Sequence, residues 1–146
     1  MCLRQLAGYR DHAAAFRDAG FDLAGLSVDE PVRSEAIRRE YQLPFPILCD
    51  TRRDIVGSWG VINRNEKGGI AIPATLVFDR DRRVLFSSLD GEFNRVGAKA
   101  LLEYLQRPAA GSVPRSPRRR FLFASPGDYW RAIRRAFRFG LRSPRT

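Results

Sequence analysis

The chain has 146 residues, 44% hydrophobic and 29% charged, with a formal net charge of +10, which suits one small globular domain and an appendage. No apolar run reaches the roughly 18 residues of a membrane-spanning helix, and the N-terminus has no secretory h-region. Two cysteines and one histidine supply neither a disulfide framework nor metal-ligand spacing, so a reducing cytoplasm is the expected compartment and no metal or organic cofactor is implied.

The charge is unevenly placed. Residues 108–146 hold ten arginines and one acid, Asp128, for a balance of +9, which leaves +1 for everything before them. The basicity belongs to a tail, and the globular part is nearly neutral.

In chain order, Leu3 to Gly20 reads as a helix: Leu6, Tyr9, Ala13 and Phe16 recur at three- and four-residue spacings, and Gly20 supplies the stop. Phe21 to Val28, with Leu23 and Leu26, predicts a buried strand that breaks at Asp29-Glu30-Pro31. A second helix is expected over Val32 to Gln42, with Ile37 and Tyr41 on its apolar face. Phe45 to Asp50 reads as a short extended segment and Asp54 to Trp59 as one or two helical turns. After the polar loop from Asn63 to Gly69, Pro73 leads into an apolar run, Ala74 to Phe78. An Asp79-Arg80-Asp81 turn then joins it to Val84-Leu85-Phe86, which predicts two adjacent strands. Proline cannot donate to a ladder, so Pro73 belongs at a strand's entry. Val96 to Gln106 is the last helix of the domain, with Leu101, Leu102 and Leu105 facing inward.

This order predicts an α/β fold, helices around a mixed sheet, over residues 1–107. A sheet strand would be expected before the opening helix, and the sequence contains none. Residues 108–117, rich in Pro, Ser and Ala, read as a linker. Ser125-Pro126-Gly127-Asp128 offers a cap and a first-turn acid for a helix from Tyr129 to Leu141. Its apolar residues Trp130, Ile133, Phe137 and Leu141 form one stripe, and arginines take the rest.

Cys2 carries the chemistry that residue type alone suggests. It lies at the mouth of the first helix, whose partial positive charge favours the thiolate, and Arg4 is near enough to assist. A thiolate there can attack a peroxide or a disulfide; the alternative is a frayed cysteine at a chain terminus. His12 lies roughly 15 Å farther along a helix, too far to serve Cys2 as a base, and reads as a surface residue. Thr75 either touches a substrate at the strand's entry or is there for β-propensity. Trp59 reads as core.

Several segments together resemble the peroxiredoxins of the AhpC/TSA (redoxin) family, particularly the bacterioferritin-comigratory or Q-type branch. Cys2-Leu3-Arg4-Gln5 is similar to the family's Cys-x-x-Gln, and Leu26-Ser27-Val28-Asp29 to its strand end. Leu43-Pro44-Phe45-Pro46-Ile47-Leu48-Cys49-Asp50 resembles its Leu-Pro-Phe-Pro motif, with cysteine where serine is usual. Trp59-Gly60-Val61 and Pro73-Ala74-Thr75-Leu76-Val77-Phe78-Asp79 complete the series. The resemblance implies a thioredoxin-like fold lacking its first strand. It also implies a thiol-dependent peroxidase in which Cys2 attacks a hydroperoxide, Arg4 supports the thiolate, and Pro73 and Thr75 shape the substrate site. A thioredoxin- or glutathione-like thiol would be the reductant. Cys49 becomes a candidate resolving cysteine, the alternative being a small buried apolar residue.

Two departures bear on activity. The family's Pro-x-x-x-Thr-x-x-Cys loop would lie mostly before Met1, and Pro73 stands where many members carry arginine, resembling instead the cis-proline of thioredoxins. A catalytically degenerate redoxin acting as a binding module is therefore the alternative function. For residues 129–142 the pattern suits a membrane surface or an acidic partner. Packing of Trp130 and Phe137 on the domain itself, or disorder, is the competing reading. Nucleic acid is disfavoured, since nothing beyond charge supports it.

Overall fold

The computed structural model describes residues 2–64, 69–91, 94–106, 119–121 and 125–139; the side chains of Cys2, Asn94 and residues 119–121 lie outside the described set. The expected linker at 108–117 falls outside it as well.

The expected first helix is two. α1 (Cys2–Arg10) and α2 (Ala13–Asp18) are separated at Asp11-His12. There the His12 amide donates three residues back, to the Tyr9 carbonyl at 3.2 Å, while the His12 ring Nδ1 lies 3.0 Å from the Gly8 carbonyl oxygen. A side chain competing for a helix carbonyl in a tightened turn breaks the ladder. Gly20 ends α2 as expected. At φ +82° it takes the left-handed conformation, and the Phe21 amide reaches back to the Phe16 carbonyl at 2.9 Å, the closure of a Schellman cap.

β1 (Gly25–Ser27) follows, shorter than the expected strand, then α3 (Pro31–Glu40) with proline in its first turn, where the missing N–H costs nothing. β2 (Ile47–Cys49) pairs with β1 in parallel, Gly25 opposite Ile47 and Ser27 opposite Cys49. α4 (Asp54–Ser58) is next, and β3 (Ile62–Asn63) and β4 (Ile70–Ala71) pair across the polar loop. β5 (Ala74–Phe78) and β6 (Val84–Leu89) form the expected antiparallel pair, from Ala74 opposite Leu89 to Phe78 opposite Val84. Their turn is closed by Asp79, whose carboxylate accepts the Arg83 amide at 2.8 Å. β7 (Asn94–Val96), α5 (Ala98–Leu105), β8 (Arg119–Phe121) and α6 (Pro126–Phe139) complete the order, with β8 antiparallel to β7. Among the described residues the strands pair in twos: β1 bonds only β2, and β5 only β6. The expected mix of parallel and antiparallel pairing is present, as four short ladders: β1–β2 is parallel and the other three are antiparallel.

Two apolar clusters hold these elements. Phe16, Val96, Ala98, Leu101 and Leu102 form one; Ala13, Tyr41, Leu43 and Phe45 form the other, and Tyr9 and Leu23 pack against both. α1 and α2 therefore lie between the two, and the inward faces expected for Leu101 and Leu102 are observed. Trp59 corrects an expectation. It is 49% exposed, tilted against Phe78 with ring centroids 5.5 Å apart, and is not core.

Asp50 is buried for a reason the sequence does not advertise. Its carboxylate accepts the amides of Asp54, Ile55 and Val56 at 2.9–3.0 Å, satisfying the open N-terminus of α4 from four residues upstream. Asp50→Ala is expected to cost about 2 kcal/mol, the upper range for a lost helix cap, read as a lower urea midpoint at unchanged slope. An unchanged midpoint would contradict this role.

Candidate functional site

α1 brings a polar cluster against the entry of β5. One turn after Cys2, the side-chain amide of Gln5 donates to Thr75 Oγ1 at 3.5 Å, Asp90 Oδ2 at 3.3 Å and the Val96 carbonyl at 3.4 Å. Asp90 is buried; its other oxygen accepts the Ser88 hydroxyl at 2.8 Å, and Oδ2 also takes the Val96 amide at 3.4 Å. The Tyr9 hydroxyl lies in the same region without a well-formed hydrogen bond. Burial pushes its pKa up to about 12; the nearness of Thr75 opposes the shift and the Asp90 charge adds to it. Tyr9 is therefore a neutral phenol at physiological pH.

Of the residues singled out from sequence, Cys2 is the first residue of α1, and its side chain lies outside the described residues. Residues i and i+3 share a helix face, so the Cys2 position lies on the side of α1 from which Gln5 reaches Thr75. Arg4 extends toward α6, its Nε 3.8 Å from Asp128 Oδ2. Pro73 immediately precedes β5, its carbonyl accepts the Asp90 amide at 2.7 Å, and the Ile72–Pro73 bond is trans. Cys49 is half-buried in β2, its thiol 3.7 Å from the Ile47 carbonyl. Gln5, Tyr9 and Asp90 were missed as site residues. Only Gln5, inside the Cys-x-x-Gln motif, carried a signal that could have found it.

Among the described residues no group of three or more His, Cys, Asp or Glu could hold a metal ion. An open depression of about 410 Å³ beside Arg52, Arg53, Ile62 and Arg64 contains none of the residues above.

This helix–strand arrangement is that of the thioredoxin-like fold. Over 72% of this chain and 64% of the other, it superposes on Enterococcus faecalis AhpC with a TM-score of 0.65 at 18% identity, a likeness of fold alone. The sequence model of the AhpC/TSA family matches residues 1–87, and the chain belongs to that family. A Mycobacterium tuberculosis protein assigned as a peroxiredoxin is 28% identical over 88 residues, 58% of this chain and 56% of its own length. The chloroplastic peroxiredoxin Q of Populus jackii is 37% identical over 60 residues, 41% of this chain and 28% of its own. The chain thus spans about half, or less, of the curated relatives it matches.

Proposed function

We propose that the chain is a thiol-dependent peroxidase of peroxiredoxin type, with Cys2 as its nucleophile. The observation that carries this reading is the join between α1 and β5: one turn beyond Cys2, Gln5 reaches Thr75 at 3.5 Å. The helix headed by the cysteine is thereby tied to the strand that Pro73 and Thr75 introduce. The start of a nine-residue helix favours the thiolate over the thiol.

In the reaction, the Cys2 thiolate attacks one peroxide oxygen and the O–O bond breaks. The leaving alkoxide or hydroxide takes a proton, and the sulfur becomes a sulfenic acid. A thiol, either Cys49 or an external thioredoxin- or glutathione-like donor, condenses with it to a disulfide and water. A further thiol pair then restores the reduced form. For Cys49 to resolve Cys2, their Cα atoms must come within about 7 Å.

The test is to expose the reduced chain and its Cys49→Ser variant, in which no internal thiol can consume the sulfenic acid, to one equivalent of hydrogen peroxide and trap sulfenic acid with dimedone. The expected adduct maps to Cys2. An adduct confined to Cys49 in the unaltered chain, or none in the Cys49→Ser variant, would overturn the assignment and favour a non-catalytic member of the family.

A further inference from the structure

We propose that α6 is a docking element for an anionic lipid surface, with Trp130, Ile133 and Phe137 entering the interface. The helix is mounted inside out. Its charged side faces the domain: Arg131 Nε donates to the Tyr41 hydroxyl at 3.1 Å, and Arg135 Nη1 to Glu40 at 3.0 Å. Both guanidinium groups lie within 6 Å of the centre of the Tyr41 ring. Arg33 Nη2 donates to the Phe139 carbonyl at 2.7 Å, and Arg4 approaches Asp128. Residues 128, 131, 135 and 139 recur every three or four positions, so these contacts occupy one side of the helix.

Trp130, Ile133 and Phe137 recur at the same spacing on the other side, and they are 71%, 47% and 88% exposed. The self-packing considered from sequence is therefore corrected: the domain holds α6 by its arginines and leaves the aromatic residues outward. A stripe of large apolar residues is costly to leave in water, and the helix cannot turn to bury it without breaking every contact named above.

Helix ends reinforce the mounting. At the N-terminus the Ser125 amide and hydroxyl donate to Asp128 at 2.7 and 2.8 Å, and Arg131 bonds the same carboxylate at 2.6 Å. The Ser125 amide first, then Arg131 and the Ser125 hydroxyl, hold the Asp128 carboxyl well below its usual range, against the opposing effect of burial. Asp128 is accordingly ionised at neutral pH, and the cap stays closed.

Charge identifies the occupant. Arg134 and Arg138, both exposed, flank the apolar stripe, and residues 108–146 carry a balance of +9. Apolar residues on one convex helix face, with arginines alongside, match a plane whose headgroups are anionic and whose interior is apolar. Nucleic acid offers the arginines phosphates but leaves the stripe in water. An acidic peptide would have to bring a groove of its own.

The experiment uses the full chain with Trp59→Phe, which leaves Trp130 as the only tryptophan. Its emission is followed on adding phosphatidylcholine vesicles with and without phosphatidylglycerol, alongside sedimentation. A blue shift and co-sedimentation with the phosphatidylglycerol vesicles, weakened by salt, are expected. Ile133→Ser with Phe137→Ser should lower partitioning by about tenfold or more. Arg134→Gln with Arg138→Gln should lower it roughly tenfold. Circular dichroism confirms that the variants, altered only at exposed positions, remain folded. No shift, equal binding to neutral vesicles, or undiminished binding by the apolar double variant would overturn the proposal. So would polyglutamate binding as tightly as the vesicles.

Discussion

Cys2→Ser is expected to slow reaction with hydrogen peroxide by on the order of a thousandfold or more, as loss of a covalent nucleophile does. A serine hydroxyl is far less acidic than a thiol and stays protonated at neutral pH. The single histidine, His12, follows the end of α1 and has its ring nitrogen against the Gly8 carbonyl. Cys49→Ser should behave differently. Cys49 lies in β2, and its replacement leaves the oxidation step intact while changing the product from a disulfide to a persistent sulfenic acid. Stopped-flow measurement of peroxide loss gives the first comparison, and mass spectrometry of the oxidised chain the second. Equal rates for Cys2→Ser and the unaltered chain would exclude Cys2 as the nucleophile.

Asp90→Ala is expected to destabilise the fold by about 3 kcal/mol, the range for removing a charged acceptor from a buried network. Among the described residues three donors share that carboxylate: the Ser88 hydroxyl, the Gln5 amide and the backbone amide of Val96. Val96 is itself in the centre of the core with Phe16 and Leu101, so its amide gains little from water. Asp90→Asn keeps an acceptor oxygen and should cost about 1 kcal/mol, the worth of an ordinary hydrogen bond. Urea unfolding of both variants at constant slope measures the difference. The Asp90 charge also raises the Tyr9 pKa, so both variants should titrate Tyr9 at lower pH than the unaltered chain. Equal stability of the two variants would show that the carboxylate is not the organising acceptor.

How much of this was legible beforehand depends on the range of the interactions. Locally encoded features were readable: the Gly20 stop, the β5–β6 pair after Pro73, and the Ser125–Asp128 cap all arise within a few residues. Features assembled across the chain were not. Gln5 meets Thr75, Asp90 and Val96 across 70, 85 and 91 residues, and no periodicity announces such a meeting. Asp50 reads as an ordinary aspartate until α4 turns its amides toward it. β7 and β8 escaped notice because three-residue strands carry too little pattern. In α6 the stripe was correctly seen, but its direction was not. Amphipathic helices usually bury the apolar side, and here Glu40, Tyr41 and Arg33 hold the polar one.

The most direct test of the central claim is the ionisation of Cys2 in the intact chain, followed by pH-dependent alkylation with Cys49→Ser as background and Cys2→Ser as control. The helix N-terminus predicts a Cys2 pKa clearly below the free-thiol value of about 8.5, with oxidation by peroxide rising along the same titration curve. A Cys2 that titrates as a free thiol and oxidises no faster than a model peptide would contradict the peroxidase reading.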